Sequence, residues 1–345
     1  MELGNKIKHL RHKSGLTQEQ LASRLGVSAQ SVSKWENSVA MPDITLLPML
    51  AGEFGVSIDE LFDLTVEQKL YRIEKRIDTE EEFSADLFSE YEEFLLSQLN
   101  EYSDRTRMLS VLAHLYHYRM ESDAQKVSKY ARKAIMLAPD IKECQWLLQK
   151  AEGACCWDWN IDNHTDVINF YKDVIENDRF APKTTLPYYE VMDNLIADHR
   201  TAEAAEYFEE YAKLPAARPF MVPVYRAHIA LAEYDVQKAD AIMAEAEQYF
   251  GNDPGFLFEM AQYHARKGDY RTAIEYYEKS WEAEQEKPRY TDALDAICTA
   301  YEILGDKKNA VAACDRLITA LTEEWGYEKD HAPVIEAQKR KQALM

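Results

Sequence analysis

TQEQLASRLGVSAQSVSKWEN, Thr17 to Asn37, carries two short helical patterns separated by a three-residue turn. Thr17 caps the first, and Gln20, three residues on, completes a T-x-x-Q capping box. Leu21, Ala22 and Leu25 supply its apolar face, and Gly26 ends it. Val27 points inward and Ser28 caps the second pattern, on which Val32 and Trp35 recur at i and i+3 toward a core. Neither helix is long enough to be stable alone in water. Both therefore need neighbours, and the spacing fixes them against each other.

Working outward, Leu3, Ile7 and Leu10 predict a preceding amphipathic helix that Gly15 ends. With Val32 and Trp35 turned inward, Ala29, Gln30, Ser33 and Lys34 share the opposite face. Such a face is ordinarily just solvated; the tight Gly-Val-Ser turn and the flanking helices favour a contact surface instead. A helix of this diameter fits the DNA major groove, where Gln or Lys reads base edges while Ser hydroxyls and amides hold phosphates. The net charge of −21 argues against nucleic acid only until its distribution is read. Residues 1–42 hold six Lys/Arg against three Asp/Glu, whereas residues 63–345 hold 34 against 54.

Residues 4–62, through LTQEQLASRLGVSAQSVSKWENSVAMPDITLLPMLAGEFGVSIDELF, resemble the Cro/repressor-type helix-turn-helix domain of the XRE family, a five-helix bundle whose third helix reads DNA. The resemblance implies a DNA-binding set of Thr17, Gln18, Ser28, Ala29, Gln30, Ser31, Ser33, Lys34 and Asn37. Within it Gln18 anchors to phosphate, Gln30 or Lys34 reaches base edges, and Ser31 and Asn37 match phosphate-contacting positions. Ala29 offers only apolar contact, such as to a thymine methyl. Trp35 and Glu36 match structural positions. Pro48 departs from the pattern: it is tolerated if Thr45 caps the fourth helix and kinks that helix if it starts at Ile44.

Beyond this domain, expected over residues 1–63, Val66, Leu70, Ile73 and Ile77 form a helical seam. A linker helix, a dimer contact and the first element of a further domain are equally compatible with it, and residues 64–105 are read as a linker helix and divergent helical segment. From residue 106 to 322 the chain repeats. A small or branched residue recurs at Val127, Val167, Ala204, Ala239, Ala273 and Ala310, at intervals of 34 to 40, predicting six helix pairs. Tyr171, Phe208, Met243 and Tyr277 follow four residues later, with Ala131 and Cys314 in the outermost units. Gly268 and Gly305 join pairs, and Pro139 closes one. This is similar to the tetratricopeptide repeat, most closely over residues 254–321. Residues 323–345, with Lys329, Lys339, Arg340 and Lys341, read as a polar capping helix whose charge serves solubility. The fold class is therefore all-α: a five-helix domain followed by a TPR-like solenoid.

Taking the groove-facing slots of that template gives Tyr116, Arg119, Trp159, Tyr189, Asp193, His228, Phe258 and Gln262 as a candidate ligand surface, suited to an extended peptide. No phosphate-binding, dinucleotide or metalloprotease signature is present, and no enzyme or cofactor is expected. His114 and His117 lack a third ligand at helical spacing, so no metal is expected. Cys144, Cys155, Cys156, Cys298 and Cys314 read as reduced, packed thiols, and Trp157-Asp158-Trp159 as packing at a repeat junction. No apolar run spans a membrane and no signal segment precedes the first helix, so a cytoplasmic protein is expected. In this order the parts resemble the peptide-pheromone receptors of Gram-positive bacteria, which implies double-stranded DNA as partner, a homodimer and a peptide or protein ligand. The alternatives are a repeat scaffold for a folded protein partner and a dimeric repressor with no ligand.

Overall fold

Short helices hold only where their backbones can approach, and Gly4 marks the closest approach in the N-terminal domain. A Cβ built there would lie 2.1 Å from the Trp35 carbonyl oxygen, so no larger residue fits without moving the helix. The computed structural model describes residues 3–62, 65–154, 163–179 and 183–345. All regular structure among them is helical. The chain divides into two units, Met1–Glu152 and Gly153–Met345.

The first unit begins with α1 (Leu3–Lys13), α2 (Gln18–Leu25), α3 (Ala29–Glu36), a 3-10 turn (Ile44–Leu46), α4 (Leu47–Phe54) and α5 (Ile58–Leu61). The Thr17 capping box forms with both hydrogen bonds, and Gly26 takes the left-handed conformation (φ 67°) that turns α2 into α3. Ile7, Leu21, Val32, Leu50 and Leu61 are fully buried at the centre. Asp43, not Thr45, caps the 3-10 turn, and Pro48 falls in the first turn of α4, where its missing N–H costs nothing.

After it come α6 (Val66–Thr79), α7 (Ala85–Gln98), α8 (Arg105–Leu137) and α9 (Lys142–Ala151). Leu70 and Ile73 are buried with Phe88, Leu95, Met108 and Leu115, so the seam on α6 packs inside its own chain against α7 and α8. A helix pair was expected around Val127; instead α8 runs unbroken for 33 residues. The stretch Arg119–Ser128 contains no Gly, Pro or Asn to stop a helix, and Val127 stays 37% exposed rather than filling a junction.

The second unit comprises α10 (Thr165–Asn177), α11 (Leu186–Ala197), α12 (Thr201–Tyr211), α13 (Met221–Ala232), α14 (Val236–Phe250), α15 (Pro254–Arg266), α16 (Tyr270–Ala283), α17 (Asp292–Ile303), α18 (Lys307–Thr319) and, after a π turn, α19 (Ala332–Leu344). Ala204, Ala239, Ala273 and Ala310 are all fully buried, one in each of the pairs α11/α12 to α17/α18. Val167, expected in the same slot, is 45% exposed, so the repeat template holds for these four pairs and not for its two earliest units. First helices touch first helices, α11 with α13 and α13 with α15, while second helices do not approach each other as closely. The stack therefore curves with its first helices on the inner side.

The left-handed turn at Gly268 and Gly305 recurs at the equivalent positions His199 (φ 55°) and Tyr234 (φ 62°), whose rings stack 5.5 Å apart. The capping helix α19 buries Val334 and Ala337 against the last pair. Its charge does more than confer solubility: Arg340 bonds Asp295 at 2.7 Å, Glu302 at 2.5 Å and the Thr299 hydroxyl at 2.7 Å, and Lys341 reaches Asp315 at 2.6 Å. Cys298 and Cys314 are buried free thiols, with burial pushing Cys298 upward; Cys144 is half-buried. Cys155, Cys156 and the Trp157–Trp159 run lie outside the described residues.

Candidate nucleic-acid interface and ligand groove

α3 is held from behind by charge as well as by packing. Arg11 of α1 donates to Glu36 through Nε (2.5 Å) and Nη2 (2.9 Å), and through Nη1 to the Leu16 carbonyl (2.7 Å). Gln18 of α2 adds a bond from its side-chain amide to Glu36 at 2.8 Å. Burial pushes the Glu36 carboxyl up, but the bonds from Arg11 and Gln18 outweigh it and hold its pKa below the usual range. Glu36 and Trp35, structural by the family pattern, are both buried.

The opposite face of α3 is open. Gln30 and Lys34, four residues apart on one side, are exposed, and their side chains make no hydrogen bond or ion pair among the described residues. Ser28 caps the helix, its Oγ accepting from the Ser31 amide (3.1 Å) and lying 2.9 Å from the Ser31 hydroxyl. The remaining first-turn amides of α3 are the groups a phosphate would take. Asn37, at the far end, donates to the Ser33 carbonyl at 2.8 Å. Thr17 is exposed, and Ala29 and Ser33 are half-buried at the edge of this face. Gln18, expected on phosphate, has its amide nitrogen engaged with Glu36. The loop beyond α3 exposes Val39 and Met41, which sequence patterning did not single out because they interrupt no periodic element, and the 3-10 turn after it exposes Ile44.

The candidate ligand residues separate into groups. Tyr116 and Arg119 lie on α8 of the first unit; Tyr116 bonds Glu92, and Arg119 sits over the Phe88 ring at 4.7 Å. Arg119 also lines a cavity of about 580 Å³ with Phe83, Tyr118 and Lys126. Trp159 lies outside the described residues. In the second unit Asp193, His228 and Gln262 occupy one repeat position on α11, α13 and α15, at steps of 35 and 34 residues. Tyr189 is largely engaged by the protein, stacked on Tyr225 (5.6 Å, 17°) with its hydroxyl 3.0 Å from that of Tyr211. His228 is 4% exposed, with both ring nitrogens buried and unpartnered, and burial lowers its pKa to about 3. Phe258 and Gln262 face a cavity of about 550 Å³ with Asp292, Asp295 and Arg340.

Three neighbours went unread in the sequence. Glu190, Tyr225 and Glu259 share a second repeat position, again at steps of 35 and 34, which the same periodicity would have exposed. Arg266 completes the set. Burial raises the Glu259 carboxyl to about 7 and the Asp193 carboxyl above its usual range, against the pull of Arg266 in both cases.

A family model described as helix-turn-helix matches residues 7–61. The HTH-type transcriptional activator BcrR of Enterococcus faecalis is 44% identical over 61 residues, 18% of this chain and 30% of that protein. An uncharacterized HTH-type transcriptional regulator of Methanocaldococcus jannaschii is 41% identical over 58 residues, 17% of this chain and 88% of that protein. The chain thus spans about a third of the first relative's length and most of the second's. Among solved structures, Bacillus thuringiensis PlcR in complex with the peptide PapR7 and DNA aligns over 100% of this chain and 99% of its own, at 12% identity and a TM-score of 0.24. That degree of likeness adds nothing to what the repeats already display. On its N-terminal domain, the chain belongs to the XRE-type helix-turn-helix family of transcriptional regulators.

Proposed function

We propose that this protein is a sequence-specific, DNA-binding transcriptional regulator that acts as a homodimer in the cytoplasm and whose repeats bind a short peptide or protein segment. The reading head is residues 1–63, residues 64–105 connect it, residues 106–322 carry dimerisation and sensing, and residues 323–345 cap the array. The observation that carries the DNA reading is the contrast across α3: a rear fixed by Trp35, Arg11 and Glu36, and a front on which Gln30 and Lys34 stand exposed and unengaged. A rigid backing with an unengaged polar face suits base-edge recognition, because the side chains lose no internal partner on binding.

Selection from a random double-stranded DNA pool with the full chain tests it. An enriched motif is expected. Gln30→Ala and Lys34→Ala should each lose about 1–3 kcal/mol of preference for that motif while keeping weak non-specific binding. A pool that enriches no motif would refute the reading. For the repeats, support comes from the inner face of the stack, where Asp193, Glu259 and Arg266 are not tied into ion pairs, although Asp193 accepts from the Tyr225 hydroxyl.

A further inference from the structure

Cys314 of α18 holds the repeat slot that Met243 and Tyr277 fill in the two preceding pairs, and what it meets there is another sulfur. Cys298 of α17 and Cys314 are both fully buried, in one core cluster with Leu294, Ile297 and Leu317. Their Sγ atoms lie 2.8 Å apart, across a sequence separation of 16 that spans the Gly305 turn. Cys298 Sγ also lies 3.5 Å from the Ala310 carbonyl oxygen and 3.6 Å from Glu302 Oε1. Thiols that serve only as small apolar side chains have no reason to meet sulfur to sulfur. An S–S bond is about 2.0 Å long, so these two need close by only roughly 0.8 Å to form one. A metal would need more ligands, and no group of three His, Cys, Asp or Glu side chains is assembled among the described residues.

We propose that Cys298 and Cys314 are a dithiol–disulfide site, closed by a small hydroperoxide into a bridge that locks α17 to α18. The oxidant has a way in: Asp295 and Leu317, each three residues from one of the cysteines and so on the same helix face, line the cavity of about 550 Å³. With hydrogen peroxide, one sulfur attacks the O–O bond; an S–O bond forms, the O–O bond breaks, and the departing oxygen leaves as water with the thiol proton. That sulfur is oxidised to a sulfenic acid as the peroxide is reduced. The second sulfur then attacks it; the S–S bond forms, the S–O bond breaks, and the hydroxyl leaves as a second water with the remaining proton. In a reducing compartment such a pair rests as two thiols and closes only under oxidant. Burial pushes the Cys298 thiol up, with Arg340 pulling the other way, so thiolate is scarce and closure answers sustained rather than brief exposure. The same burial shields the finished bridge from bulky reductants. Glu302, beside Cys298, also accepts from Arg340 of α19 at 2.5 Å, so the brace forms where the capping helix is anchored.

The test exposes the folded full chain to hydrogen peroxide, alkylates the remaining thiols in denaturant, and reads intact and peptide masses. Wild type should lose the mass of two hydrogens and yield a peptide joining Cys298 to Cys314, both reversed by dithiothreitol. In a Cys144→Ser/Cys155→Ser/Cys156→Ser background the same bridge should form. There the urea midpoint should rise on oxidation and fall back on reduction, because the bridge restrains the unfolded chain. Cys314→Ala should strand Cys298 as a sulfenic acid that dimedone traps; should that variant not fold, the wild-type masses decide alone. Full alkylation of both cysteines after prolonged exposure would overturn the site, as would a sulfinic acid at either one with no joined peptide, or a bridge to Cys144 instead. A bridge that leaves the midpoint unmoved would overturn its locking role.

Discussion

His228 and Glu259 sit on neighbouring helices and pull stability in opposite directions as pH changes. Burial lowers the folded pKa of His228 to about 3, so the unfolded chain takes up a proton that the folded one refuses, and stability falls as pH drops below about 6.5. Burial raises Glu259 to about 7, so the folded chain binds the extra proton and stability is lost as pH rises from about 4.5 through 7. Between about pH 4.5 and 6.5 the two effects offset each other. The charged and titratable groups around them are Glu190 and Asp193 on α11, Arg218 ahead of α13, Tyr225 on α13, Arg266 on α15 and Tyr277 on α16. Removing one partner should unmask the other. Relative to wild type, Glu259→Gln should lose stability on acidification from pH 6.5 to 4.5, by up to about 1.4 kcal/mol per pH unit, and His228→Leu should gain it. Urea unfolding at a series of pH values measures both slopes, and parallel curves for wild type and variants would disprove the coupling. The sequence placed His228 in the groove by periodicity; it could not show that one repeat lets its side chain sink while the repeats on either side hold theirs at the surface.

Among the elements, the turn joining each first helix to its second has one geometry at four positions and three kinds of residue. Glycine supplies the positive φ at Gly268 and Gly305 without strain, but His199 and Tyr234 adopt it against the clash between Cβ and carbonyl. Tyr234 is 81% exposed and has only the stacked His199 ring to lose. Tyr234→Gly should therefore stabilise the protein by about 0.5–1 kcal/mol, and Gly268→Ala should destabilise it by a similar amount or more, both read from thermal or chemical unfolding. A destabilised Tyr234→Gly would mean that the ring stack outweighs the strain. These turns also explain what was legible. The capping box at Thr17, the glycine turns and the four buried alanines announce themselves through chemistry that only one local structure satisfies. α8 did not, because a repeat period extended into a stretch with no helix breaker predicts a turn that nothing there can make. The groove was half legible for a related reason: one slot of the template gave Asp193 and Gln262, while Glu259, beside Phe258, belongs to the adjacent slot.

For the whole molecule, one reading head offers a single eight-residue helix to the groove, too little for tight sequence-specific binding. Two heads from a dimer are expected on a near-palindromic site. Native mass spectrometry of the full chain should give twice the 40.0 kDa chain mass, and a probe with one half-site inverted into random sequence should bind about 100-fold more weakly or worse. Equal affinity for one and two half-sites would argue against paired heads. The ion pair behind α3 bears on this in a further way. Residues 1–42 contain six basic side chains, but Arg11 is buried on Glu36 and Arg24 pairs with Glu53, so two of the six are already engaged by carboxylates within the domain. Each phosphate neutralised contributes roughly 0.9 to the slope of log affinity against log salt, so a head this sparsely charged releases few counterions. Its hold on arbitrary DNA is correspondingly slight. If two heads bind as proposed, base edges and the second head decide residence, and quick release from a wrong sequence is the expected outcome.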